Sequence, residues 1–157
     1  MPEEMDPDAR EATAICARHG DDPSQLLEIL HDLQDARGAV AEAALPAIAR
    51  ALNLSRADVH GVVSFYHDFR RAPAGRVVAR ICRAESCQAM GALALIERAC
   101  ARHGIALGET STEGLTLEPV YCLGNCALSP AAMIGDRLHG RLDAGRLEAL
   151  LAEALAC

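Results

Sequence analysis

Aromatic residues are scarce in this sequence: two Phe, two Tyr and no Trp in 157 residues. A core must therefore be built from Ala, Leu, Val and Ile. The apolar fraction of 51% supplies them and argues against general disorder. No Lys/Arg-rich run occurs and the formal charge is −7, which excludes the basic face of a nucleic-acid binder. No stretch approaches the roughly 20 apolar residues of a membrane helix. The opening "MPEEMDPDAR" is acidic and has no apolar segment, so no secretory signal is expected. A cytoplasmic location is the default expectation. There is no G-x-G-x-x-G, no Walker loop, no Ser/His/Asp arrangement and no C-x-x-C. The chain is thus not expected to bind NAD or flavin alone, or to act as a thioredoxin-type dithiol.

The first seventy or so residues carry helical signals only. Asp6-Pro7 predicts an N-cap followed by Pro at the first helical position, with a stop at Gly20. Asp22-Pro23 repeats the signal, and Leu26, Leu27, Leu30 and Leu33 form an apolar stripe closed near Gly38. A third helix is predicted over Glu42 to Leu52, with Pro46 in its first turn. Ser55 and Asp58 predict a capping box for a fourth. After "RRAPAG" the pattern changes. "RVVARIC" and "LTLEPVYC" read as strands, Cys87 to His103 as a helix ended by Gly104, and "AAMIGDRLHGRL" as two short strands around a Gly-Asp turn. Asp143 caps a last helix. The fold class is α/β: a helical bundle over residues 1–72, then a compact strand–helix unit over 73–157.

Seven cysteines are present. An odd number in a chain expected to be cytoplasmic disfavours a disulfide framework and points to metal or redox work. Cys82 and Cys87 are separated by four residues, Cys122 and Cys126 by three. If the strands before these loops are neighbours, four sulfurs converge at one edge of the sheet, with Gly124 permitting a tight turn. Zinc is one candidate, since all-sulfur tetrahedral sites are common. The wider spacers suit a [2Fe–2S] rhomb better, because each loop can then hold one iron through two sulfurs. Two ferric ions, two sulfides and four thiolates sum to −2, and one-electron reduction gives −3. Such a charge calls for nearby donors, which the start of the helix at Cys87 and the Leu123–Ala127 loop can offer. A Rieske centre would need two His ligands, which neither loop contains.

The spacing C-x4-C then C-x3-C, with "VYCLGNCALSPAAMIGDRLHGRL" around the second pair, resembles the thioredoxin-like [2Fe–2S] ferredoxin family. This is the family of the 24 kDa subunit of respiratory NADH dehydrogenase and of related small subunits of NAD-linked hydrogenases and formate dehydrogenases. The resemblance extends through "LNLSRADVHGVVSFYHDFR". Its "SFYHDFR" form is most similar to the gamma subunit of the molybdenum-containing, NAD-dependent formate dehydrogenase, whereas respiratory relatives usually differ after "FY". The resemblance implies a thioredoxin-like fold without a dithiol active site, and a [2Fe–2S] cluster on Cys82, Cys87, Cys122 and Cys126. It implies an electron-transfer role beside a flavin- and NAD-binding subunit, with the molybdenum cofactor on a further, catalytic subunit. No catalytic residue is expected on this chain. The alternatives are the equivalent subunit of a respiratory NADH dehydrogenase or hydrogenase and, from another class, a zinc-stabilised interaction module.

Other features have plainer readings. Phe65, Tyr66 and Phe69 form either a local anchor for the helices or a docking edge against the flavin subunit. His67 reads as a structural, hydrogen-bonded residue. Cys100, on the stripe Ala89, Leu93, Ile96, Cys100, reads as a packed apolar thiol. Cys16 with His19 is a weak metal signal, and Cys157 reads as an exposed terminal thiol.

Overall fold

The computed structural model describes residues 5–157. Residues 1–4, part of the acidic start from which no secretory signal is expected, lie outside the described residues. The chain divides into two compact units, one ending at Pro73 and one spanning Ala74–Cys157.

The first unit is helical. Helix α1 (Pro7–Arg18) starts where the Asp6 carboxylate accepts from the Asp8 amide, with Pro7 at the first position. A 3₁₀ turn (Pro23–Gln25) leads into α2 (Leu26–Arg37), which ends at Gly38 in the left-handed region. A second 3₁₀ turn (Glu42–Ala44) leads into α3 (Leu45–Ala51), with Pro46 in its first turn. Helix α4 (Arg56–Phe65) carries the reciprocal cap: Asp58 N–H donates to Ser55 Oγ at 3.0 Å and Ser55 N–H to Asp58 Oδ2 at 3.1 Å.

Ile15, Ile29, Leu30, Leu33, Leu45 and Ile48 are central to the core of this unit. The stripe on α2 differs from expectation: Leu27 is exposed and Ile29 is buried. With the helix starting at Leu26, positions 26, 29, 30 and 33 share one face, and position 27 lies about 100° away. Cys16 is buried in the same core, and its thiol is pushed up to about 11 by burial and then by the Asp21 carboxylate. His19 places Nε2 2.8 Å from Asp32 Oδ2, so Cys16 and His19 serve different neighbours.

The second unit is a mixed sheet in the order β2-β1-β3-β4, from β1 (Val77–Cys82), β2 (Leu115–Val120), β3 (Ala132–Ile134) and β4 (Arg137–His139). Strands β1 and β2 are parallel, and β1–β3 and β3–β4 antiparallel. Pro119 is tolerated because β2 is an edge strand. The parallel pair requires a crossover, supplied by α5 (Glu85–Ala89) and α6 (Ala92–His103). One continuous helix from Cys87 to His103 was expected. Instead the chain breaks at Gly91, with φ +89, and Cys87 belongs to the short first piece. The last helix, α7 (Ala144–Ala156), is capped by Asp143, whose carboxylate accepts from Arg146 N–H at 2.8 Å. Helices α6 and α7 pack on each other and on β1, covering Ala79, Ile81, Leu115, Leu117 and Ala132.

Two glycines give opposite expectations. Gly61 lies inside α4 with open space where a Cβ would go, so Gly61→Ala should raise stability by about 1 kcal/mol through helix propensity. At Gly75 an added Cβ would overlap the Gly114 carbonyl oxygen and lie 2.6 Å from its carbon. Gly75→Ala should therefore cost about 1–3 kcal/mol, read by denaturant unfolding. Cys16 adds a pH dependence. Its folded pKa lies above the ordinary 9.0, so the stability it contributes is intact below pH 9 and is lost as pH rises toward about 11. Cys16→Ala should flatten the decline in unfolding free energy measured across that window.

Candidate metal centre

Parallel pairing gives β1 and β2 a common C-terminal rim, and their register ends with Cys82 opposite Val120. Past that point Arg83 N–H donates to the Val120 carbonyl at 2.9 Å, and Cys82 N–H donates to the Ala131 carbonyl at 3.0 Å. The roots of both cysteine loops and the entry to β3 are thus held side by side. Cys82 is the last residue of β1. Cys122 lies two residues beyond β2, rather than ending it as the sequence suggested.

The four thiols occupy two environments. Cys82 and Cys87 are 3% and 2% exposed and rest against Ala92 and Ala131, while Cys122 and Cys126 are exposed. The sulfurs of Cys122 and Cys126 are 3.9 Å apart. A tetrahedral metal with bonds of about 2.3 Å holds two sulfurs roughly 3.8 Å apart, so this pair stands at chelating distance. Cys82 and Cys87 belong to one buried cluster, and each influences the ionisation of the other. Among the described residues no three His, Cys, Asp or Glu gather to hold a single ion. The thiols come in twos, as a two-iron rhomb requires.

Backbone amides point at the sulfurs. Gly124 N–H donates to Cys122 Sγ at 3.3 Å. Amides of Ala84 and Leu123 reach Cys82, and that of Ala131 reaches Cys87. Gly124 has φ +71, and Cys122 itself has φ +117, a conformation that costs a non-Gly residue about 1–3 kcal/mol. Strain at a thiol that gains amide donors is a mark of function rather than of packing. At Gly140 an added Cβ would meet Leu128 Cβ at 2.7 Å and Asn125 Nδ2 at 2.8 Å. The end of β4 therefore passes directly against the second loop.

Burial raises the Cys82 thiol above its usual range. Burial pushes Cys87 the same way, but hydrogen bonds from Ser129, Cys82 and the Ala131 amide outweigh it, leaving Cys87 below its ordinary value. Cys126 is raised by its hydrogen bond with Cys122 and by the charge there, with smaller effects from Cys87 and Cys82.

Two residues at this rim were not read from the sequence. Ser86 and Ser129 are 2.8 Å apart through their hydroxyls, and Ser129 Oγ lies 3.4 Å from Cys87 Sγ. The sequence signal was a Ser set between the apolar runs of "CALSPAAM". Arg83 and Tyr121, each adjacent to a cysteine, stack with the guanidinium 6.0 Å from the ring centroid. Cys100, partly buried, packs against the core of the second unit, its thiol pushed up by burial and then by Glu109. Cys157 is exposed at the chain end. Neither joins the four.

A thiol pair at chelating distance beside two buried thiols, on the rim of a thioredoxin-like sheet, is the arrangement of a metal–sulfur protein. Comparison with known proteins narrows the class. The profile of the thioredoxin-like [2Fe-2S] ferredoxin family matches residues 12–155. A subunit of NADH-quinone oxidoreductase from Pseudomonas aeruginosa, the one designated E, is 40% identical over 124 residues, covering 78% of this chain and 75% of that protein. An NADH-quinone oxidoreductase subunit of the same designation from Rhizobium meliloti is 37% identical over 142 residues, covering 90% and 84%. The NADP-reducing hydrogenase subunit HndA of Solidesulfovibrio fructosivorans is 29% identical over 129 residues, covering 82% and 75%. A crystal structure of NAD+-reducing [NiFe]-hydrogenase in the air-oxidized state superimposes with a TM-score of 0.67 at 30% identity, over 84% of this chain and 23% of that one. This chain belongs to the thioredoxin-like [2Fe-2S] ferredoxin family, and its cofactor is a [2Fe–2S] cluster. The lone-zinc alternative gives way to it.

Cys122→Ser should lose most of the iron and labile sulfide of the purified protein, and Cys100→Ser should retain both. Equal losses, by iron and sulfide assay, would remove Cys122 from the ligand set.

Proposed function

We propose that Cys82, Cys87, Cys122 and Cys126 hold the cluster, one iron through each loop, and that the chain is an electron-transfer subunit of a multisubunit NAD-dependent oxidoreductase. The grouping of the thiols carries this reading: an exposed pair 3.9 Å apart beside a buried pair, at one sheet rim, matches two metals better than one. The bound cluster supplies one-electron oxidation and reduction. The chain's residues supply the donors that offset its negative charge, keep Cys82 and Cys87 out of water, and leave Cys122 and Cys126 at the surface. That exposed edge is the side from which a partner's flavin can exchange electrons. Among the described residues no helix is long and apolar enough to cross a membrane, and a cytoplasmic assembly is the simplest setting.

Within that class we propose the gamma subunit of a molybdenum-containing formate dehydrogenase. The support is the "SFYHDFR" stretch and where it lies. Phe69 is buried against the first unit, 5.0 Å from the His31 ring, while Phe65 is 72% exposed and Tyr66 and His67 are also at the surface. The anchor and docking readings of this stretch thus divide between its residues. Of the residues that follow "FY", His67 and Asp68 are at the surface, where a partner can meet them, and Phe69 is the buried anchor. A second reading, the equivalent subunit of an NADH dehydrogenase or NAD-linked hydrogenase, is favoured by the names of the relatives.

Purified protein should contain two irons and two labile sulfides per chain, with a reddish absorbance bleached by dithionite. One zinc and a colourless solution would overturn the electron-carrier reading. Affinity purification from the native cell should bring down a flavin subunit and a molybdenum subunit, with formate-dependent NAD reduction. A nickel-containing or quinone-reducing partner set would move the chain to the second reading.

A further inference from the structure

Ser86 lies on α5 beside the first cysteine pair and Ser129 just past the second, yet their side chains meet over Cys87. Ser129 is 9% exposed. Its Oγ lies 2.8 Å from Ser86 Oγ, 2.8 Å from the Cys126 carbonyl oxygen and 3.4 Å from Cys87 Sγ. Ser86 Oγ also reaches the Cys126 carbonyl oxygen, at 3.2 Å. The protons can be counted. With Cys87 a thiol, its S–H donates to Ser129, whose own proton goes to the Cys126 carbonyl. With Cys87 a metal-bound thiolate, that S–H is gone and the sulfur becomes an acceptor. The Ser129 hydroxyl can then turn its single proton onto sulfur, while Ser86 donates to the Cys126 carbonyl in its place.

We infer that Ser129 is a tuning residue for the cluster, donating a hydrogen bond to the Cys87 sulfur, and that Ser86 is a positioning residue that frees the Ser129 proton for that task. The inference rests on Cys87 being a ligand, as proposed above. A donor to a ligand sulfur stabilises the more negative, reduced state, because reduction adds one electron and no compensating proton. The bond therefore raises the reduction potential. Its low exposure shields it from competition by water, which makes it more effective than a donor at the exposed Cys122 edge. The same network ties the two cysteine loops together, so the alternative is a purely mechanical clamp.

The test is an EPR-monitored redox titration of the full-length, cluster-loaded chain as wild type, Ser129→Ala, Ser129→Thr and Ser86→Ala, each assayed for iron and sulfide. At the wild-type midpoint, Ser129→Ala should show a reduced-to-oxidised ratio about tenfold lower, a shift of about 59 mV to more negative potential for one electron. Ser129→Thr, which keeps the hydroxyl, should stay near wild type, and Ser86→Ala should shift the same way by a smaller amount. Full iron and sulfide with a wild-type midpoint in Ser129→Ala overturns the inference. So does faster iron loss at an unchanged midpoint, which would mark a clamp. If Ser129→Ala does not load, Ser86→Ala decides. Pulsed EPR of the reduced cluster in H2O and D2O should show an exchangeable proton coupling weakened by Ser86→Ala, and no change in coupling or midpoint overturns the inference. Failure of the ligand assignment appears separately, as a Cys87→Ala protein that keeps two irons, two sulfides and the wild-type spectrum.

Discussion

The parallel pairing of β1 with β2, ending with Cys82 opposite Val120, is the constraint from which the rest of this molecule follows. Parallel strands share a C-terminal end, so the loops that leave them emerge at one rim however many residues separate them. The crossover α5–α6 and the chain up to β2 can therefore be long without moving the two cysteine loops apart. An antiparallel arrangement of the same strands would send the loops to opposite ends of the sheet. Strand β3 then closes the third side, because its entry at Ala131 accepts the Cys82 amide and supplies an amide to Cys87. Geometry that begins as backbone register ends as the spacing of four sulfurs.

That spacing is electrostatically uneasy without a cation. Burial opposes ionisation of Cys82, and thiolate charge at Cys122, Cys87 and Cys82 opposes ionisation of Cys126. Cys122 adds backbone strain. A metal that needs four thiolates reverses the sign of these effects, since mutual repulsion becomes ligation and the amides meet charged sulfur. With the cluster on these four thiols, as proposed above, its binding and the folding of this rim would be linked. Cys87 lies below the ordinary thiol value before any metal is counted. It is the sulfur with a hydroxyl, a thiol and an amide around it.

Much of this was legible because it is local. The caps at Asp6, Ser55 and Asp143, the left-handed ends at Gly38 and Gly104 and the hairpin through Gly135 and Asp136 are short-range signals, and each stands where the chain chemistry puts it. The four cysteines singled out by their spacing lie at one rim. What escaped is of two kinds. The break at Gly91 and the exposure of Leu27 depend on phase within a helix, where a shift of one residue changes the face. The Ser86–Ser129 contact spans 43 positions. Nothing in either neighbourhood announces it, because a hydroxyl next to a cysteine acquires meaning only when register brings the second loop over it.

The stretch from Phe65 to Phe69 shows how one fold can serve several assemblies. Phe69 is buried, and Gln34 reaches across to it from α2, accepting from Arg70 N–H at 2.7 Å and donating to the Asp68 carbonyl at 2.8 Å. Those contacts hold the end of the segment to the first unit and leave little freedom to vary. Phe65 and Tyr66 stack on each other with centroids 5.0 Å apart and stay in water. His67 and Asp68, which follow "FY", are exposed as well. Variation at those two positions can leave the cluster rim and the helical core unchanged while altering what the surface can meet. On the proposed function, partner choice falls to the surface of the helical unit and the redox chemistry to the register of the sheet.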